Sequence, residues 1–113
     1  MKRKYYHASP KRHKPGEVLV GQSCGWSSNT PVVFMNQSPT PHYTIFHEAV
    51  EGNWFIYRVI PTSKVKIGKC WDEALAESVE VVKCVGRARE FAKRGSRLGS
   101  RVFYKNISYW TKR

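Results

Sequence analysis

Trp54-Phe55-Ile56-Tyr57-Arg58-Val59-Ile60 is the stretch that decides the fold. Large side chains alternate along it, and Arg58 is its single charge. Aromatic and β-branched residues suit a pleated, half-buried surface, so the stretch predicts a strand. Pro61 has no N–H to give a ladder and stops it. Residues 79–85 predict a second strand, with Val79, Val81 and Val85 on one face and Glu80, Val82 and Cys84 on the other. Gly86 ends it.

Outward toward the N-terminus, residues 4–8 predict a short strand that meets a turn at Ser9-Pro10. Lys14-Pro15-Gly16 is a turn signal ahead of Val18-Leu19-Val20. Residues 21–31 read as a loop, and Val32-Val33-Phe34-Met35 as a buried strand. Ser38-Pro39 predicts a helix start, with Ser38 as N-cap and a helix running to Gly52. The segment 43–46 also suits a strand.

Outward toward the C-terminus, Val65 and Ile67 suggest a short extended piece, and residues 71–77 two helical turns. Residues 87–94 predict a helix with Arg and Lys outward, 95–100 a flexible stretch and 102–110 a last strand. There is no internal repeat. The expectation is an α+β domain: a mostly antiparallel sheet of five to seven short strands with two or three short helices.

A chain of 113 residues has room for one domain and one core. Net charge is +12, unevenly spread. Residues 1–14 carry six Lys/Arg and no acid, and residues 83–113 carry ten and one acid, whereas 15–82 carry four bases and seven acids. A mildly acidic body with two basic ends attracts polyanions. Cys24, Cys70 and Cys84 form no CxxC pair, so buried free thiols are expected rather than disulfides or a metal site. Met1-Lys2-Arg3-Lys4 is followed by no apolar stretch, and no run is long enough to span a membrane. The sequon Asn106-Ile107-Ser108 carries little weight without an export signal. A cytoplasmic monomer is expected.

No HExxH, GxGxxG, GxSxG or phosphate-loop motif is present. The chemistry-bearing residues are dispersed: His7 beside two tyrosines; the aromatics Phe34, Tyr43, Trp54 and Tyr57; and the acids Asp72, Glu73, Glu77 and Glu80. Singly, each suits packing or a solvated surface. Together they suit a nucleotide such as NAD. A His holds a ribose hydroxyl, aromatic faces hold a planar ring, and a carboxylate stabilises the oxocarbenium-like centre formed as nicotinamide leaves.

Tyr5-Tyr6-His7-Ala8-Ser9, Lys14-Pro15-Gly16-Glu17-Val18-Leu19, Val32-Val33-Phe34-Met35-Asn36-Gln37-Ser38, Phe55-Ile56-Tyr57-Arg58-Val59-Ile60-Pro61 and Val79-Glu80-Val81-Val82 follow in an order that resembles the small bacterial ADP-ribosyltransferases typified by the rifamycin-modifying enzymes. In that family a Tyr-x-His-Gly-Thr strand precedes Lys-x-Gly-Asp-Leu-Leu, a strand bearing a pocket tyrosine, a helix, and a strand ending in Pro. The resemblance covers residues 4–86 and leaves 87–113 as a basic extension. It implies the family's split sheet and NAD as cofactor.

Carried over by residue, His7 holds the NAD ribose, with Ala8 and Ser9 standing where the family has Gly and Thr. Phe34 stands at the pocket tyrosine and keeps its stacking face without its hydroxyl. Tyr43 supplies a second aromatic. The carboxylate is Glu77, just before the late strand, or Asp72 in the preceding loop. The reading implied is an NAD-dependent mono-ADP-ribosyltransferase acting on a macromolecule, either nucleic acid or a nucleic-acid-associated protein. Lys11, Arg12, Lys14, Arg97 and Arg101 would meet that acceptor. An RNA 2′-phosphotransferase is a variant in which Lys11, Arg12 and Lys14 hold the phosphate. The alternative from another class is a non-catalytic basic protein. It would bind nucleic acid through the tail with Tyr109 and Trp110, or inhibit a host enzyme as virus-encoded inhibitors do.

Overall fold

The structure, a computed structural model, describes residues 3–24, 30–41, 45–68 and 72–97, with the side chains of 23–24 and 93–97 outside that description. In chain order come strands β1 (Tyr5–Ser9), β2 (Val18–Val20), β3 (Ser23–Cys24) and β4 (Pro31–Asn36), and helix α1 (Phe46–Glu51). Strands β5 (Phe55–Pro61), β6 (Lys66–Ile67), β7 (Glu73–Ala76) and β8 (Ser78–Arg87) and helix α2 (Ala88–Arg97) follow. Seven strands form one antiparallel sheet in the order β2-β8-β5-β1-β4-β7-β6, and β3 pairs with β4 beside it. The described residues therefore form an α+β domain with two short helices.

β5 lies near the centre of the sheet, between β1 and β8. Its alternation divides the core. Tyr57 and Val59 join Val79, Val81, Val33, Met35, Ala74 and Ala76 on one face, where the sheet curls on itself. Ile56 joins Ala8, Ala49, Ala88 and Phe91 on the other, where both helices pack. Burying an apolar side chain of this size contributes ~1.5–3 kcal/mol. Arg89, at the start of α2, donates to the carbonyls of Val50 (3.0 Å) and Glu51 (2.8 Å), satisfying the C-terminal end of α1 and locking the helices together.

Several expectations are corrected. The helix expected from Ser38 to Gly52 begins only at Phe46, with Ile45 at its cap. Thr40 precedes Pro41 and is driven away from helical backbone, and the Ser38 hydroxyl pairs with Thr40 Oγ1 (2.8 Å) instead of capping. Residues 73–76, expected as helix, form β7 with all four residues buried. Glu-Ala-Leu-Ala favours a helix locally, but pairing with β4 and β6 overrides that preference. The alternation in β8 is broken by two register shifts against β5, which leave Val82 and Val85 as extra residues. The strand also runs past Gly86 to Arg87. Cys84, expected buried, is exposed, because β2 pairs with β8 only over Ser78, Val79 and Glu80 and flanks nothing beyond. Gly95 and Ser96 fall within α2 rather than in a flexible stretch. Tyr43, Cys70 and residues 98–113, including Arg101, the sequon and the expected last strand, lie outside the described residues.

Candidate functional site

β1 and β4 share a ladder pair only at Tyr6 and Asn36, whereas β1 pairs with β5 along all five of its residues. The ladder therefore splits beyond Tyr6, where His7, Ala8 and Ser9 run opposite Met35, Phe34 and Val33 without a ladder pair. His7 bridges the split: its Nδ1 lies 2.8 Å from the Phe34 carbonyl oxygen. A carbonyl only accepts, so Nδ1 carries the proton, and Nε2 of the neutral ring is an acceptor. Burial holds the His7 pKa below its ordinary value. The bond to Phe34 opposes that shift and the nearby His13 reinforces it. His7 is therefore neutral at pH 7.

The loop from β1 to β2 arches over this split and is pinned from beneath. The buried Tyr57 hydroxyl donates to the Lys11 carbonyl (3.0 Å) and accepts from the His13 N–H (2.9 Å). The ring of His13 stands edge-on to that of Tyr57, with centroids 5.3 Å apart. Gly16 closes the loop at φ +89, a left-handed conformation that costs glycine nothing, and its N–H donates to Val81 (2.8 Å). So placed, His13 links two side chains: Nδ1 meets Glu17 Oε2 at 2.6 Å and Nε2 meets Ser9 Oγ at 3.0 Å. Ser9 Oγ also accepts the Lys11 N–H (3.1 Å). The bond from His13, with that from the Lys14 N–H, keeps the Glu17 carboxyl below its ordinary pKa and therefore ionised at pH 7.

A cavity of about 650 Å³ opens at the split, within the range of small-molecule sites. Among the sequence-predicted residues it gathers His7, Ala8, Ser9, Phe34, Lys11 and Arg12. Val33, Ile45 and Trp54 add apolar wall, while Ser9, His13 and Glu17 add a polar one. Lys14 is exposed beside the cavity without lining it. Asp72 and Glu77 are not brought to it. Asp72, exposed at φ 54, offers its carbonyl to Gln37 N–H at the β7 side of the sheet. Glu77 is exposed in the β7–β8 turn, where its N–H donates to Ser63 Oγ (2.9 Å). The carboxylate that lines the cavity is Glu17. Arg97 closes α2.

No protein-family model matches the chain, and no curated protein does. Sequence reasoning missed His13, Glu17 and the Tyr57 hydroxyl as site elements. Ser9, His13 and Glu17 recur at intervals of four, but Pro10 and Pro15 forbid the helix that would align them, so spacing gave no signal. Their convergence comes from Tyr57, 44 residues away from His13, which only the tertiary fold supplies.

Proposed function

We propose that the chain is an NAD-dependent mono-ADP-ribosyltransferase acting on a polyanionic macromolecule. The observation that carries this reading is the split between β1 and β4, bridged by a neutral His7 whose Nε2 has no hydrogen-bond partner among the described residues. The cavity residues fit a dinucleotide. Nε2 of His7 accepts from a ribose hydroxyl, Phe34, Ile45 and Trp54 offer apolar faces to planar rings, and Lys11 and Arg12 offer charge to a pyrophosphate.

NAD supplies the ADP-ribosyl group, with nicotinamide as leaving group. The place first given to Glu77 or Asp72 falls to Glu17, the ionised carboxylate at the cavity wall, which favours positive charge developing nearby. His13, oriented by Glu17 on Nδ1, has its Nε2 on the Ser9 hydroxyl and can take a proton from a hydroxyl that displaces that contact.

The test is release of nicotinamide from labelled NAD, with and without cell extract. Wild type should release it, His7→Ala should not, and Glu17→Gln should lose about a hundredfold, the lower end of the ~10²–10⁴ range for positioned acid–base groups. Absence of release from wild type in both conditions refutes the reading. The positions of Asp72 and Glu77 outside the cavity favour a second reading, a non-catalytic basic protein that binds nucleic acid or inhibits an enzyme acting on it. That reading is the survivor if NAD binds nowhere.

A further inference from the structure

Two guanidinium groups meet one aromatic ring, and one of them, that of Arg12, also lines the cavity. The Arg12 Cζ lies 5.0 Å from the Phe55 ring centroid and the Arg87 Cζ 4.6 Å. The sheet register explains half of this: Ser9, Phe55 and Arg87 stand in one row across β1, β5 and β8 and share a face. The Tyr57-pinned loop explains the rest, because it carries Arg12 back over the same row. Arg87 is braced by its Nε, which donates to the Asn53 carbonyl (2.9 Å) and leaves the forked end of the guanidinium for another partner. Among the described residues neither arginine forms an ion pair.

Two like charges held around one ring, with neither in an ion pair among the described residues, repel each other, and an anion between them removes that cost. A guanidinium fork matches phosphate in two parallel hydrogen bonds. We infer that Arg12, Phe55 and Arg87 form a backbone clamp for a single-stranded nucleic acid whose next nucleotide enters the cavity. A single strand is favoured over a duplex because the cavity, at about 650 Å³, admits unpaired nucleotide and not a paired helix. The two cations with the half-buried ring of Phe55 between them are the kind of surface on which single strands bind. Only the statement that this strand is the acceptor rests on the transferase reading. The clamp itself does not.

Fluorescence anisotropy with a labelled oligo-dT and oligo-rU of ~20 nucleotides, long enough to exceed one site, tests this. At ~0.15 M salt each phosphate contact on a single strand contributes roughly fourfold through counterion release. Arg12→Gln breaks no hydrogen bond of its side chain and should weaken binding roughly fourfold. Arg12→Gln with Arg87→Gln should weaken it more than tenfold and flatten the salt slope by about 1.4. Lys64→Gln with Lys83→Gln removes the same charge from exposed positions off the cavity and should change affinity less than twofold. Equal losses in the two double variants would show a diffuse field and overturn the clamp. So would duplex DNA or polyglutamate binding as tightly as the single strand, or no oligonucleotide binding at all. Binding is measured without NAD, and nicotinamide release without oligonucleotide, so failure of one reading leaves the other legible.

Discussion

Tyr57→Phe removes one oxygen and keeps the ring. The ring is 2 % exposed and packs with Met35, Val59 and Val81, so the substitution leaves the apolar core as it is. Lost are a bond to the Lys11 carbonyl and one from the His13 N–H, at 3.0 and 2.9 Å. Each is worth about 1 kcal/mol net, and the loop groups they satisfy lie near enough to water to be partly resolvated, so the sum is about 2 kcal/mol. For a domain of this size ~4 °C per kcal/mol is expected, giving a Tm lower by ~8 °C. Amide exchange should accelerate at His13, whose N–H loses its acceptor, and nicotinamide release should fall because His13 and Glu17 lose their anchor. Calorimetry and site-resolved hydrogen exchange read the first two effects. A Tm within ~2 °C of wild type, with the His13 amide unprotected in both proteins, would refute the pinned loop and the geometry built on it.

The His7 pKa lies below 6.5 in the folded protein, so the unfolded chain binds more protons just below that pH. The stability it contributes is complete above 6.5 and is lost as pH falls toward the folded value. Tm should drop between pH 6.5 and 4.5 in wild type and drop less in His7→Gln. Glu17 acts lower: its carboxyl is held below 4.5, so Glu17→Gln should flatten the further loss of Tm under that pH. Gly21→Ala should cost roughly 1–3 kcal/mol by denaturant unfolding, because a Cβ there would strike the backbone of Pro31 and Val32, which cannot swing aside. Cys84 is exposed and should be alkylated by maleimide in the folded protein, as mapped by peptide mass.

The sheet was legible where alternation was strong. Residues 54–60 and 79–85 marked the two strands that the rest assemble around, because aromatic and β-branched residues dominate both and suit a pleated, buried surface. It was illegible where burial on both faces erased alternation, as in β7. It was equally so where a residue before proline blocked a helix whose other signals were in place, as at Thr40 and Pro41. The site divides in the same way. His7, Ser9 and Phe34 sit on strands that local pattern predicts, and the structure brings them to one cavity. Glu17 was hidden because its role depends on a loop held by a distant phenol. Asp72 and Glu77 were drawn in by their place along the chain, which says nothing about which side of the sheet a carboxylate occupies.

A thermal titration of the intact protein with NAD bears most directly on the central claim. A ligand bound only by the folded state adds about 2.7 kcal/mol at a concentration ~100 times its Kd. For this domain the corresponding rise in Tm is ~10 °C. Wild type should show that rise as NAD saturates, and His7→Ala, without the ring that bridges β1 and β4, should lose most of it. An unchanged wild-type Tm at millimolar NAD would contradict the proposed function.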